Sequence, residues 1–150
     1  MTEAVQVSMV PIDHVDRVWD DVKGYLADAA KYTYGRYDLE DIYDSIMQYN
    51  HTLWIAFTDD KIIAAVVTNI LHYPKKTCLS GVFLGGDDLK AWKGPMLEML
   101  QKWAFDNKCD GFEMCGRMGW ARALKDEGYQ ALWQTCELPV AESGLGVQNG

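Results

Sequence analysis

The stretch from Thr77 to Asn107, TCLSGVFLGGDDLKAWKGPMLEMLQKWAFDN, constrains the fold more than any other. Cys78 to Leu84 reads as a strand, and Gly85-Gly86 as a tight break after it. Beyond the glycines, Leu89, Trp92, Met96, Leu100 and Trp103 recur at steps of three and four, the core-facing stripe of a helix. A strand that ends in glycines and feeds a helix is a layout that binds phosphates. The first N–H groups of a helix lack intrahelical partners and carry partial positive charge. Gly94-Pro95 falls inside the stripe. Either the helix kinks there, or its ordered part begins near Pro95, since proline is tolerated in a first turn.

The flanking chain supplies the rest of a sheet and its helices. Val5, Val7 and Met9 alternate with polar residues, which predicts a strand that Pro11 ends. His14 to Lys31 carries apolar residues at helical spacing, with Asp13 as the expected N-cap. Tyr32 to Tyr37 is an aromatic loop, and Asp38 caps a second helix over Leu39 to Tyr49. Leu53 to Thr58 and Ile62 to Leu71 read as a hairpin around Asp59-Asp60-Lys61. After Pro74 and Lys75-Lys76 the third antiparallel strand begins. Gly111 to Cys115 is a further strand, Trp120 to Asp126 a short helix with Gly128 at its C-cap, and Tyr129 to Leu138 a last strand. The expectation is one domain over residues 1–138 and a flexible tail over 139–150, rich in glycine and polar residues.

Charge and cysteine usage narrow the function classes. With 14 Lys+Arg against 22 Asp+Glu the formal charge is −8, which disfavours bulk attraction to nucleic acid or an anionic membrane. No apolar run reaches the roughly 20 residues that span a bilayer, and the N-terminal residues lack the pattern of a signal peptide. Cys78, Cys109, Cys115 and Cys136 form no CxxC pair and read as reduced, buried side chains of a reducing, cytoplasmic compartment. They share no ligand spacing with His14, His51 or His72, so no metal site is expected.

The predicted order is β, α, α, then three hairpin strands, then α, β, α, β. This order, the strand ending at Leu84-Gly85-Gly86, the strand ending at Cys115-Gly116-Arg117 and the close Leu124-x-x-x-Gly128-Tyr129 together resemble the GNAT (Gcn5-related N-acetyltransferase) fold. More narrowly, Gly116-Arg117-x-Gly119-Trp120 with that ending is similar to a divergent GNAT-like group often encoded by tailed bacteriophages beside their virion genes. The resemblance implies an α+β, three-layer fold with a mixed, mostly antiparallel sheet of about six strands flanked by about four helices. It implies acetyl-coenzyme A, or another acyl-coenzyme A, in the notch between the strands ending at Leu84 and Cys115, with an amine as acceptor. Backbone N–H groups of Gly85, Gly86, Asp87 and Asp88 would then face the pyrophosphate, and edge groups of Val82 and Leu84 the pantetheine amides.

Departures from the family pattern are equally specific. Its pyrophosphate loop reads Arg/Gln-x-x-Gly-x-Gly/Ala, whereas Gly85-Gly86-Asp87-Asp88-Leu89-Lys90 puts the glycines early and two carboxylates behind them, with Asp87 as an expected N-cap. Lys90 and Lys93 offset that charge only by pointing inward. Leu124 stands where many members carry an acid-donating tyrosine. Glu113 and His72 are the candidate general bases, against the alternative of ordinary surface groups. Arg117 could grip a phosphate or carboxylate bidentately or form a surface ion pair. Tyr129 could replace the missing acid or pack in the core; Trp120 could wall a pocket or lie in the core. Tyr32, Tyr34, Arg36 and Tyr37 could line an acceptor pocket or a protein interface. Two functions fit: an acyltransferase of the host cytoplasm, and a catalytically inactive virion or protein-interaction component.

Overall fold

The chain folds along its sequence into β1 (Gln6–Val10), α1 (Ile12–Ala30), α2 (Leu39–Met47), β2 (Thr52–Phe57), β3 (Ile62–Tyr73), β4 (Lys76–Gly86), α3 (Leu89–Asp106), β5 (Gly111–Met114) and α4 (Gly119–Leu124). The computed structural model describes residues 4–116 and 119–140. They fall into two compact units, residues 1–117 and 118–150.

In the first unit the strands lie in the order β1-β2-β3-β4-β5. The first four are antiparallel neighbours, and β5 joins β4 in parallel. On one face α1 and α2 bury Val15, Val22, Leu26, Ile42 and Ile46 against Leu53, Ile55, Ala65, Val67 and Phe83. On the other, α3 buries Trp92, Met96, Leu97 and Leu100. There Trp54 meets the edge of Trp103 at 5.8 Å, and its indole N–H donates to Thr68 Oγ1 at 3.0 Å. Burying a tryptophan on this face leaves no polar atom unpaired at that position.

Helix starts follow local chemistry, not always where the sequence suggests. Asp38 caps α2 reciprocally: its carboxylate accepts from Asp41 N–H at 2.9 Å, and its own N–H donates to Asp41 Oδ2 at 3.0 Å. For α1 the N-cap is Pro11, and the expected cap Asp13 lies in the first turn, where its charge suits the helix dipole. Of the two alternatives at Gly94-Pro95, the helix begins at Leu89 and runs through Pro95.

Three expectations are corrected. Gly85 and Gly86 are no break; they are the last residues of β4, paired with Ala65 and Ala64 of β3. Cys78 is buried as expected, but Cys109 is half-buried and Cys115 and Cys136 are exposed. The expected strand over Tyr129 to Leu138 is not formed, so the sheet has five strands among the described residues, not six. A strand needs a paired neighbour to satisfy its backbone. Leu132, Trp133 and Leu138 are exposed there. In this second unit Gly128 ends the turn Lys125–Glu127 at φ +90°, as a C-cap glycine does. The expected tail past Val140 lies outside the described residues, and so does Arg117. Among the described residues no helix is long and apolar enough to cross a membrane.

Candidate functional site

The organising feature of the site is where the β4–β5 ladder stops. Its paired residues are Cys78 with Gly111, Leu79 with Phe112, Ser80 with Glu113 and Gly81 with Met114. Gly81 C=O accepts from Cys115 N–H at 3.0 Å, and the described ladder goes no further. Beyond it β4 continues to Gly86, paired with β3 alone. The described residues thus leave β4 without a strand neighbour on its β5 side past Gly81, and this gap is the notch.

A bulge decides which backbone groups face that notch. Thr77 and Gly81 carbonyls accept from Asp110 and Cys115, so Thr77, Leu79 and Gly81 point their backbone groups towards β5. Asp87 N–H donates to Ile63 C=O at 2.8 Å, so counting back by twos Gly85 and Phe83 point towards β3. The two phases collide at Val82, where the register of β3 and β4 shifts beside Val67. The consequence is a sorting of the two edge residues predicted from sequence. Leu84 turns its N–H and C=O outward into the notch, and Gly86 does the same. Val82, the extra residue, turns towards β3.

The glycines at the end of β4 are required by packing. A Cβ on Gly85 would stand 2.5 Å from Tyr25 C=O of α1, and one on Gly86 would stand 2.6 Å from Ala64 Cβ and 2.7 Å from Ile63 C=O. Close approach of α1 at Gly85 and of β3 at Gly86 thus explains a pair that resembles a phosphate loop in sequence. Asp87 is not the N-cap either. Its carboxylate accepts from Tyr25 OH at 2.9 Å. Burial, with that hydrogen bond and the Asp87 charge behind it, raises the Tyr25 phenol to about 12. Asp88 occupies the N-cap position at φ +53° with no side-chain bond to the helix. Beside this end of β4 lies an open depression of about 460 Å³, lined by Asp20, Asp21, Asp28 and Asp87 with Lys31 as its cation.

Glu113 and His72, the two candidate bases, are not brought together. Side chains alternate across a strand. Tyr73 lies on the face of Val67, covered by α1 and α2, and His72 lies on the opposite face with Thr68. Glu113, paired with Ser80, shares the Tyr73 face: Tyr73 OH donates to Glu113 Oε1 at 2.7 Å. That hydrogen bond above all raises the Tyr73 phenol to about 12. His72 Nδ1 instead approaches Thr77 Oγ1 at 3.4 Å. No proton can pass between the two bases directly.

Sequence reasoning missed Tyr73 and a polar row beside it. Asn69 and Ser80 are cross-strand partners on the Tyr73 face, and Ser80 is also level with Glu113. Ser80 is 0% exposed, and neither its Oγ nor Asn69 Oδ1 has a hydrogen-bond partner. The available signal was two short polar side chains inside otherwise apolar strands. Of the aromatic loop, Tyr37 stacks edge-on against Phe83 at 5.1 Å, while Tyr32 and Tyr34 are exposed. In the second unit Leu124 is buried, Tyr129 and Trp120 are half-buried, and Tyr129 N–H donates to Leu124 C=O at 3.4 Å.

No protein-family profile matches the chain, and no curated protein matches its sequence. Solved structures do match. A ribosomal-protein-alanine N-acetyltransferase from Brucella melitensis biovar Abortus 2308 superposes with a TM-score of 0.70 at 12% identity, over 91% of this chain and 99% of that one. The aminoglycoside N-acetyltransferase AAC(6')-Iy, solved in complex with CoA, gives 0.66 at 12% identity, over 93% and 96%. An aminoglycoside acetyltransferase, meta-AAC0020, from an uncultured soil metagenomic sample gives 0.65 at 11% identity, over 91% and 95%. The chain has the GNAT fold. Its mixed sheet and flanking helices are carried by a sequence with little residue-level likeness to these neighbours.

Proposed function

We propose that the protein is an acyl-coenzyme A-dependent N-acyltransferase with its cofactor in the β4–β5 notch. The observation that carries this reading is the outward pair of backbone edges at Leu84 and Gly86, left unpaired by β5 among the described residues. Two outward residues two positions apart offer donors and acceptors at strand spacing, which suits the two amides of a pantetheine arm. The acyl thioester supplies an activated carbonyl carbon when bound.

The residues of this chain would hold and orient. Leu84 and Gly86 grip the arm, and the start of α3 presents N–H groups to the diphosphate. Asp87 and Asp88 oppose that diphosphate, so affinity is set by the arm more than by the phosphates. Tyr25 holds the Asp87 carboxylate on the α1 side. Glu113 would take the proton of the acceptor amine; Tyr73 OH donates to its Oε1, which leaves Oε2 to face the substrate in this reading. Tyr73, raised to about 12, stays a donor throughout the neutral range. Rate acceleration then comes chiefly from positioning the amine against the thioester. His72 has no part in this arrangement.

Calorimetry with acetyl-coenzyme A tests the reading. Saturable binding is expected, and no heat at millimolar ligand would sink it. Replacing Gly86 by a bulky residue is a poor test, because the substitution also strikes Ala64 and Ile63. The acidic depression and Leu124 favour a second reading, a non-enzymatic component of a virion or another protein assembly. Stoichiometric co-purification with a partner, together with absent acetyl-coenzyme A binding, would decide for it.

A further inference from the structure

β1 is the outer strand of the sheet, and among the described residues no strand pairs with its far side. Thr58 N–H donates to Lys61 C=O at 2.9 Å, so Thr58 points its backbone groups towards β3. Counting back by twos, Ala56 and Trp54 do the same, while Phe57, Ile55 and Leu53 point towards β1. Their partners Gln6, Ser8 and Val10 close that ladder. Val7 and Met9 therefore turn their N–H and C=O groups away from the sheet. The Met9 carbonyl accepts from the Ser8 hydroxyl at 2.9 Å, which leaves its second lone pair open.

A free edge is a template for another strand, and edges are commonly blunted by lysine, proline or a bulge. β1 has none of the three. Residues from Ala4 to Ile12 carry no charge, Pro11 lies beyond the strand, and the register with β2 runs unbroken from Gln6 to Val10. Gln6 and Ser8 are exposed, and Met9 is 37% exposed. α1 packs over β3 and β4, at least two strands in from this edge. The formal charge of the chain is −8. A second copy, equally acidic, is repelled from most of the surface and least from an uncharged edge, whereas a basic partner is drawn to the carboxylates instead. The strand also fits itself. Turned about a two-fold axis at Ser8, Val7 meets Met9 of the second copy, and Met9 meets its Val7. Each pair exchanges two hydrogen bonds, four in all. Ser8 faces Ser8 across the axis and Gln6 faces Val10, so no charge is buried.

We infer that β1 pairs antiparallel with β1 of a second copy about a two-fold axis at Ser8, joining the five described strands of each copy into one sheet of ten. This goes beyond the acyltransferase reading and does not rest on it. β4 and its mate then lie seven strand spacings apart, about 34 Å at about 4.8 Å each, so both notches stay open. A two-fold contact closes on itself and stops at the dimer. Five residues a side bury less than the roughly 1,200 Å² of a standard interface, so the dimer is reversible and half-formed on the order of 0.1 mM.

The test is sedimentation equilibrium on the full chain from about 10 µM to about 1 mM, with cysteine cross-linking to read the register. A monomer–dimer equilibrium is expected. Met9→Pro removes an outward N–H that β2 does not use, which an edge strand tolerates. It should weaken the dimer about tenfold or more, as two of the four hydrogen bonds are lost, while Met9→Leu should not. Ser8 and its mate form a non-hydrogen-bonded pair with Cα atoms about 4.5 Å apart, within disulfide range. The two Gln6 residues, on the same face, are about 14 Å apart along the strands. Ser8→Cys oxidised with diamide should therefore give a reducible dimer well above the wild-type background, and Gln6→Cys should not. If Met9→Pro melts early, the two cysteine variants decide alone. Monomer throughout the range, growth past the dimer, equal dimerisation by a stably folded Met9→Pro, or equal cross-linking of the two cysteine variants would each overturn the inference. Coenzyme A binding by a strictly monomeric chain removes this inference alone. A dimer without coenzyme A binding removes the acyltransferase reading alone.

Discussion

At the scale of single residues, the site turns on pairs that sequence spacing does not reveal. Glu113 and Tyr73 are 40 positions apart and share a 2.7 Å hydrogen bond. Glu113→Gln should lower acetyl transfer by roughly 10²-fold or more, the usual contribution of a positioned base, with the melting temperature little changed. Tyr73→Phe should raise KM for the amine more than it lowers kcat, because it frees the carboxylate without removing it. Steady-state kinetics on both variants would check the split. His51 gives a pH signature. Its folded pKa lies below the unfolded value because burial disfavours the charged ring. Above the unfolded value both states are neutral and pH has no effect through this group. As pH falls below it, the unfolded chain binds the proton first, so stability falls. His51→Phe should flatten that acid-side loss, measured as urea midpoints across the range from pH 7.5 to pH 5. An unchanged slope would assign the loss to other groups.

At the scale of elements, β4 and its two neighbours make the notch, and the helices fix its ends. Gly85 lets α1 approach until Tyr25 C=O lies 2.5 Å from where a Cβ would be. Gly85→Ala should therefore cost about 2 kcal/mol or more, as overpacking against backbone does, seen as a lowered denaturation midpoint. A change within error would mean that α1 can retreat freely. At the start of α3, Asp88→Asn removes a carboxylate next to the expected diphosphate and keeps a side chain that tolerates φ above zero. It should tighten coenzyme A binding several-fold at low salt and much less at 1 M salt, where screening shortens to about 3 Å. Much of this level was legible in the sequence. Helical stripes in α1, α2 and α3, the hairpin around Asp59 and Asp60, and the strand after Lys108 follow from local periodicity and turn residues, which need no partner to be read. What was not legible depends on pairing. The bulge at Val82 is set by two ladders meeting out of phase, and Gly85-Gly86 looks like a loop until α1 is seen against Gly85 and β3 against Gly86. Tyr129 to Leu138 has the composition of a strand and lacks a paired neighbour, so propensity alone misplaced it.

At the scale of the whole molecule, a GNAT fold carries two aspartates, Asp87 and Asp88, ahead of α3 and an end of β4 that β5 leaves unpaired among the described residues. The order of elements was enough to expect the frame, since local periodicity fixes element type and few mixed folds share that order. The proposed site was only partly legible: the backbone of Leu84 faces away from β3 and that of Val82 towards it, and Glu113 shares the Tyr73 face while His72 lies on the other. Alternation across strands is invisible until the bulge is placed, because one inserted residue reverses every later side. The central claim is that a coenzyme A arm pairs with the free edge of β4. Amide hydrogen exchange resolved to single residues, with and without acetyl-coenzyme A, tests it most directly. Protection should rise at Leu84 and Gly86 and stay unchanged at Phe83 and Gly85, whose N–H groups already face β3. Unchanged exchange at Leu84 and Gly86 under saturating ligand, or new protection confined to other elements, would contradict it.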